Sequence, residues 1–321
     1  MDEFELIRRY FATLTPPRDD VALGIGDDAA LLAPPRGQEV VVTTDTLIAG
    51  RHFPDDTDPQ AVGWKALAVN LSDLAAMGAE PRWFTLALTL RMADPEWLAG
   101  FAAGLGAMAR EAGVALVGGD TTQGALSITI TAMGTVPAGK AIRRSGARVG
   151  DAICVTGTLG DAALALRLGQ GEAGGRGEAR SANLEHLRAR LNRPVPRVAV
   201  GAALRDLVHA AIDLSDGLSG DLSHILDASG VGAEIRAGKL PMSEAFKALS
   251  DPEDRLELQA TGGDDYELCV CLPPENVAKL RKRLDVPLTE IGRVVKGKAL
   301  VVIDAKGRKR AVEPFGYRHF T

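Results

Sequence analysis

Aspartates recur in this sequence where an apolar run or a glycine turn ends, and this is its clearest chemical signal. The residues concerned are Asp28, Asp45, Asp73, Asp120, Asp213, Asp216 and Asp264. Each one alone is explained by an Asx turn, a helix cap or a salt bridge. Together they indicate carboxylates that converge on divalent cations, and oxygen ligands of this kind suit Mg²⁺.

Other site chemistries have little support in the sequence. The three cysteines show no zinc spacing, and the five histidines form no HExxH pair. The chain also lacks a P-loop, a protein-kinase signature and a GxGxxG fingerprint. Several Mg²⁺ ions beside glycine turns therefore favour a polyphosphate ligand and phosphoryl transfer.

Residues 64–81, WKALAVNLSDLAAMGAEP, predict one buried helix that carries Asp73. Leucines recur at helical spacing, and Gly78 followed by proline ends the pattern. Asn70 and Asp73 fall on one stripe of this helix. A carboxylate there is costly unless it is paired or binds a metal ion, so partners of Asp73 are expected elsewhere in the chain.

Two runs in the N-terminal half predict strands that deliver oxygen ligands at their carboxyl ends. They are VVVTTDT (residues 40–46) and VALVGGDTT (residues 114–122). A plain strand followed by a turn explains either run when it is taken alone. The residues delivered are Thr43, Thr44, Asp45, Gly119 and Asp120.

The C-terminal half repeats this arrangement. AAIDLSDGL, residues 210–218, predicts a strand end that presents Asp213, Ser215 and Asp216 before a helix. The run TGGDDYEL, residues 261–268, precedes an apolar strand. The glycine-rich segment Gly169–Gly177 matches no motif, and we assign it no function.

Composition predicts two globular domains in 321 residues. We expect an N-terminal domain over 1–137, a linker over 138–150 and a C-terminal domain over 151–321. A net charge of −5 with no basic block weighs against a nucleic-acid surface. No apolar stretch approaches the roughly 20 residues that span a membrane. The N-terminus lacks a signal-peptide pattern, and the cysteines suit reduced core residues of a cytoplasmic protein.

Taken together, these runs resemble the thiamine-monophosphate kinase family of the AIR-synthase-like superfamily. Nine runs occur in the family's order and spacing, and they cover essentially the whole chain. They are GIGDDAALL (24–32), TTDTLIAGRHF (43–53), WKALAVNLSDLAAMGAEP (64–81), GGDTT (118–122), RSGA (144–147), VTGTLGD (155–161), IDLSDGL (212–218), GGDDYEL (262–268) and GYRHF (316–320).

The resemblance implies that ATP phosphorylates thiamine monophosphate to thiamine diphosphate by direct in-line transfer. A phosphate oxygen of the substrate is already anionic, so the reaction needs positioning and several Mg²⁺ ions rather than a strong base. The implied fold is α+β with two AIR-synthase-like domains. The N-terminal domain is a four-stranded sheet with helices on one face, which pairs into a barrel in a homodimer. The C-terminal domain is a mixed α/β sandwich.

The resemblance also implies residue roles. The implied Mg²⁺ ligands are Asp28, Thr43, Thr44, Asp45, Asp73, Asp120, Asp213 and Asp216. The catalytic candidates among them are Asp73, Asp45, Asp120 and Asp213, with Asp73 as the central ligand. Nucleotide contacts are implied at Gly119, Asp120, Arg144 and Ser215. Thiamine-phosphate contacts are implied at His52, Asp264 and Tyr317, where relatives often have Glu at the second position and some have Trp at the third.

Alternative interpretations come from the same superfamily. An aminoimidazole-ribonucleotide synthetase-like enzyme is one, although the GGDDYEL run and the aromatic tail favour the kinase. A selenophosphate synthetase needs a reactive Cys or Sec near the N-terminus, and the first Cys here is Cys154. A non-catalytic Mg–nucleotide-binding relative is the third, and carboxylates at every matched position weigh against it. His52 and Tyr317 are open to a purely structural role.

Overall fold

The computed structural model describes residues 2–169 and 178–312 and divides into two compact units. The first unit comprises Met1–Leu74 and Ala79–Ala141, and the second comprises Ala75–Gly78 and Ile142–Thr321. None of the described helices is long and apolar enough to cross a bilayer.

The first unit is built on a four-stranded sheet with strand order β3-β6-β4-β5. Its elements in chain order are α1 (Glu3–Leu6) with a π-helical turn (Ile7–Phe11), β1 (Val21–Leu23), β2 (Leu31–Leu32), β3 (Gln38–Ile48), α2 (Pro59–Ala76), β4 (Glu80–Leu90), α3 (Pro95–Ala112), β5 (Ala115–Gln123) and β6 (Ser127–Pro137). Strands β4 and β5 run parallel, whereas β6 pairs antiparallel with both β3 and β4.

The two faces of this sheet differ in burial. On β6, Ile128, Ile130 and Ala132 are fully buried, while Thr129 and Thr131 between them are partly exposed. Alternation of this kind places every second side chain on the face covered by helices. Helices therefore lie on one face only, as the resemblance implied. The other face is called the open face below, although Trp83 on it is buried in a small cluster with Val21 of β1 and Leu32 of β2.

Glycine marks the carboxyl ends of two helices in the first unit. Gly78 and Gly113 follow helices α2 and α3 with φ angles of +68° and +64°, the left-handed conformation that suits a residue without a Cβ. Asp94 caps α3 by accepting from the backbone N of Glu96 at 2.9 Å. The start of α2 was predicted wrongly, because the helix begins at Pro59 rather than Trp64.

The predicted ends of two strands are also wrong. Strand β3 continues to Ile48, so Thr43, Thr44 and Asp45 lie inside it rather than at its end. Strand β5 likewise continues to Gln123, past Asp120. Both strands extend because each pairs over its length with a neighbour that is distant in sequence. Such pairing overrides the turn preference of Gly and Asp.

The second unit is a seven-stranded mixed sheet with strand order β13-β12-β9-β11-β7-β10-β8. Its strands are β7 (Ala152–Thr156), β8 (Ala210–Asp213), β9 (Gly232–Arg236), β10 (Leu268–Leu272), β11 (Leu288–Val295), β12 (Leu300–Ile303) and β13 (Lys309–Val312). Its helices are α4 (Asp161–Gly169), α5 (Glu178–Asn192), α6 (Val198–Leu204), α7 (Leu218–Ser229), α8 (Glu244–Leu249), α9 (Arg255–Thr261) and α10 (Pro274–Arg281).

Apolar cores lie on both faces of this sheet, which gives the sandwich that the resemblance implied. Cys269 and Cys271 of β10 face a core that includes residues of α7, whereas Leu268 and Val270 face a core that includes residues of α6 and α10. Cys154 belongs to the second core. All three thiols are free and buried, as the sequence predicted.

Candidate active site

Helix α2 and strand β3 form the best-defined part of the site in the first unit. Thr43 Oγ1 donates to Asp73 Oδ2 at 2.5 Å. Asp45 N donates to Asn70 Oδ1 at 3.1 Å. The predicted stripe of Asn70 and Asp73 therefore faces β3. Asn70 is fully buried, whereas Asp73 is partly exposed. A rigid helix thus holds one carboxylate beside a row of oxygen donors on a strand.

Thr44 and Asp120 lie on the open face, opposite Thr43 and Asp45. Thr44 pairs with Thr131, and their hydroxyl oxygens are 2.9 Å apart. Asp120 pairs with Ala87 and is exposed. Within the first unit, the predicted ligands therefore form two sets, one on each face of the sheet. Sequence spacing did not predict this division.

Gly119 allows β5 to approach β4 beside Asp120. Its φ is +151°, and a Cβ at this position would lie 1.9 Å from the carbonyl oxygen of Leu86. Any side chain there would push the two strands apart. The glycine predicted as a nucleotide contact thus has a structural requirement of its own.

Asp28 and His52 lie in loops of the first unit. Asp28 is exposed, and its backbone N donates to Asp27 Oδ1 at 2.8 Å. His52 Nδ1 accepts from the backbone N of Ile48 at 2.9 Å. This bond places the proton of a neutral imidazole on Nε2 and fixes the ring against the end of β3.

In the second unit, Asp213 ends β8 as predicted, and a short loop follows. The backbone N atoms of Ser215, Asp216 and Gly217 all donate to Asp221 Oδ2, at 3.0, 3.1 and 3.1 Å. Burial, together with the charge of Asp216, raises the pKa of Asp221 to about 7. Asp221 therefore shapes the loop from inside. The three N–H groups of this loop already have a carboxylate as acceptor, so they do not need a phosphate to satisfy them.

The run GGDDYEL packs against this loop. Asp264 N donates to Ser215 O at 2.8 Å, and Tyr266 N donates to Leu214 O at 2.8 Å. The structure thereby brings Ser215 and Asp264 together, although sequence reasoning assigned them to different ligands. Asp264 is partly exposed.

Glu267 anchors this run in the interior. It is fully buried, and its carboxylate accepts from Thr156 Oγ1 at 2.7 Å, Arg190 Nη2 at 2.9 Å and Arg197 Nε at 2.7 Å. Gly157 makes room for it, since a Cβ there would lie 2.1 Å from Glu267 Oε1. A buried carboxylate of this kind is tolerated because charged donors surround it.

Asp265 is the third structural acid of this region. Both of its carboxylate oxygens accept from the backbone N of Gly160, at 2.9 and 3.1 Å. Burial raises the pKa of Asp265 well above its usual value. Sequence reasoning missed the roles of Asp221, Asp265 and Glu267. The sequence around these acids does not show which partners they have, because the fold brings those partners from distant segments.

Two predicted residues remain outside these clusters. The side chain of Arg144 is exposed, and its carbonyl oxygen accepts from Ser229 Oγ at 3.3 Å. Tyr317 lies outside the described residues.

Known proteins are similar to this sequence over nearly its whole length. The family model "AIR synthase related protein, N-terminal domain" matches residues 26–136, and the corresponding C-terminal domain matches residues 148–305. A thiamine-monophosphate kinase of Escherichia coli strain K12 is 46% identical over 321 residues, which covers 99% of this chain and 98% of that protein. The chain belongs to the thiamine-monophosphate kinase family. The resemblance predicted from the sequence is thus confirmed.

Solved structures agree with this family membership. The thiamine-monophosphate kinase of Stenotrophomonas maltophilia K279a has a TM-score of 0.86 and 49% identity, with 94% of this chain and 96% of that chain covered. AaThiL complexed with AMPPCP and TMP has a TM-score of 0.78 and 32% identity, with 92% of each chain covered. The two family-model matches and these solved structures confirm the predicted two-domain fold.

The residues present suit a hard cation. Among the described residues, no group of three or more His, Cys, Asp or Glu side chains is arranged to hold a metal ion. The predicted ligands nevertheless offer only carboxylate and hydroxyl oxygens, and Thr43 and Asp73 already contact each other. This donor chemistry fits Mg²⁺ and does not fit zinc.

Proposed function

We propose that the protein transfers the γ-phosphoryl group of ATP to thiamine monophosphate and so forms thiamine diphosphate and ADP. The supporting observation is full-length similarity to thiamine-monophosphate kinases, one of which is 46% identical. A 32% identical protein of the same fold binds AMPPCP and TMP. The donor chemistry of the site agrees with this proposal, because it contains oxygen ligands rather than a Ser–His or Cys–His pair.

The proposed reaction is a direct in-line displacement. A phosphate oxygen of thiamine monophosphate attacks the γ-phosphorus, and the bond from that phosphorus to the bridging oxygen of ADP breaks. Because the attacking oxygen is already anionic, no side chain has to remove a proton. The protein contributes positioning and charge compensation for two anionic groups that repel each other.

In this proposal, the eight oxygen ligands named above hold several Mg²⁺ ions, directly or through water. Bound Mg²⁺ supplies charge neutralisation between the two phosphates. Gly119, Asp120, Arg144 and Ser215 contact the nucleotide. His52, Asp264 and Tyr317 contact the substrate, and the carboxylate of Asp264 complements its cationic ring.

We further propose a cytoplasmic homodimer in which the open face of the first-unit sheet pairs into a barrel. On β3, Val40, Val42 and Ile48 are 45, 59 and 44% exposed. Exposed apolar side chains on this face of β3, where Thr44 and Thr46 lie between Val42 and Ile48, support an interface. Light scattering gives the mass in solution. A monomer at micromolar concentration would contradict this part of the proposal alone.

The function is tested by incubating the protein with ATP, Mg²⁺ and thiamine monophosphate and separating the products by chromatography. We expect thiamine diphosphate and ADP in equal amounts, and no product when EDTA removes the metal. Free thiamine serves as the control acceptor, because it lacks the anionic phosphate. ADP formation without thiamine diphosphate would overturn the proposed acceptor.

A further inference from the structure

The segment after helix α9 has a strained backbone. Asp264 and Tyr266 have φ angles of +66° and +48°. Side chains with a Cβ rarely adopt this left-handed conformation, and Asp206 is the one other non-glycine case among the described residues. Strain of this kind persists only where the surroundings fix it, and it is concentrated at functional sites.

Neighbouring bonds fix this segment residue by residue. The backbone N atoms of Asp264 and Tyr266 are held by the loop after β8, as described above. Asp265 and Glu267 are buried and bound to other parts of the second unit. Asp264 is the acid of this run whose side chain is partly exposed. Its backbone is held in one place because its own N–H and its neighbours on the chain are bound.

Tyr266 contacts that acid. Its side chain is buried, with 7% exposed, and its hydroxyl donates to Asp264 Oδ1 at 3.0 Å. Packing in the core explains why an aromatic ring is buried at Tyr266, but it does not explain why the ring carries a hydroxyl. The hydroxyl fixes the rotation of the Asp264 carboxylate, and a hydrogen bond to an ionised acceptor is a strong one.

We propose that Tyr266 is a positioning residue for substrate recognition, whose hydroxyl holds the Asp264 carboxylate ready for the cationic ring of thiamine monophosphate. This inference rests on the proposed function, in which Asp264 contacts the substrate. It gives a role to a residue of the GGDDYEL run to which the sequence assigned none.

The first test is the Tyr266→Phe substitution, which keeps the ring and removes the hydroxyl. We expect the KM for thiamine monophosphate to rise about tenfold, while the KM for ATP and the melting temperature stay close to the wild-type values. Tyr10→Phe is the matched control, because the Tyr10 hydroxyl also makes a hydrogen bond, to Pro95 O at 3.2 Å in the first unit. We expect the control to leave both KM values unchanged.

A double-mutant cycle separates positioning from general structure. If Tyr266 acts through Asp264, then adding Tyr266→Phe to Asp264→Asn raises the KM for thiamine monophosphate less than twofold further. A tyrosine with a merely structural role would keep its full effect in that background. The proposal is overturned by a full tenfold effect there, or by an unchanged KM in Tyr266→Phe alone.

Calorimetry with thiamine monophosphate in the presence of AMPPCP distinguishes a failure of the proposed function from a failure of the positioning role of Tyr266. Wild-type protein that neither binds thiamine monophosphate nor turns it over refutes the proposed function. Wild-type protein that binds it no more tightly than Tyr266→Phe refutes only the positioning role. Tyr266→Phe keeps the ring, so a variant that failed to fold would show that the hydroxyl supports the fold itself and would overturn the positioning role.

Discussion

The two units present their candidate site residues by different means. In the first unit, Thr43, Asp45 and Asp73 come from a long strand and a long helix, whose backbones are held mainly by the regular bonds of sheet and helix. The backbone N of Asp45 is an exception, because it donates to Asn70 Oδ1. In the second unit, Ser215 and Asp264 come from loops, whose N–H groups need acceptors from elsewhere.

Buried acids supply those acceptors in the second unit. Asp221 receives three backbone N–H groups, Asp265 receives one, and Glu267 joins two arginines to the sheet. The difference shows that an acidic residue near a site has two distinct uses. Asp73 of α2 is partly exposed beside β3, whereas Asp221, Asp265 and Glu267 are buried and accept from donors of the second unit itself.

The largest expected effect tests the first unit. Asp73→Asn should lower kcat by about 1,000-fold at saturating Mg²⁺, because it removes a charge from the proposed metal site. The fold should survive, since an amide oxygen at this position can still accept from Thr43. The assay is thiamine diphosphate formation, with melting temperature measured alongside. The exposed Asp56→Asn variant is the control, and near-normal turnover of Asp73→Asn would remove its assigned role.

The next effect tests the second unit through stability. Glu267→Gln should lower the free energy of unfolding by about 3 kcal/mol, because Arg190 and Arg197 would lose their buried counter-charge. Urea unfolding measures this change. Glu290→Gln is the matched control, since its partner Arg293 is 43% exposed and such a pair contributes at most about 1 kcal/mol. Equal effects of the two variants would contradict a structural role specific to Glu267.

A smaller effect concerns the hydroxyl that contacts Asp73. Thr43→Val should lower kcat about tenfold and raise the Mg²⁺ concentration for half-maximal activity, because Asp73 Oδ2 loses its donor. Thr46→Val is the control on the same strand, where Thr46 Oγ1 lies 2.8 Å from Thr129 Oγ1 on the open face. If both variants behave alike, the contact between Thr43 and Asp73 has no specific role.

The smallest effect concerns pH and an ion pair of the first unit. Hydrogen bonds from Arg18 lower the pKa of Asp20 to about 2. An acid whose pKa is lowered on folding stabilises the fold at pH values above its pKa in the unfolded chain, which is near 4. This contribution is lost as the pH falls from about 4 to about 2. Asp20→Asn should therefore cost about 1 kcal/mol at pH 6, after allowance for solvent screening, and progressively less below pH 4. Chemical unfolding at several pH values measures this, with exposed Asp19→Asn as the control. A cost that is independent of pH would contradict the ion-pair explanation.

Local signals in the sequence were sufficient for much of the fold. The end of α2 at Gly78 and the end of β8 at Asp213 follow from periodicity and turn chemistry that act within a few residues. The sequence does not show which distant strands pair, so the predicted lengths of β3 and β5 were too short. Strand β9 and helices α8 and α9 were not predicted either.

The candidate site was predictable only in its residue types. Alternation along a strand places Thr43 and Thr44 on opposite faces, but the sequence does not say which face is open. Asp216 and Asp221 look alike in the run DLSDGLSGDL, because a ligand and a loop-building acid differ only in partners brought by the fold. The order of the motifs was sufficient to predict the family. Only the three-dimensional contacts distinguish the acids that build loops from the acids proposed to bind ligands.

The buried thiols of the second unit have a practical consequence for chemical probing. All three cysteines of the chain belong to this unit, and burial raises their pKa values, to about 12 for Cys154. A thiol reagent can modify them only after the seven-stranded sheet has opened. Labelling rates in the folded protein would therefore report the opening of the second unit alone. They would measure how fast this unit opens without the need for an engineered cysteine.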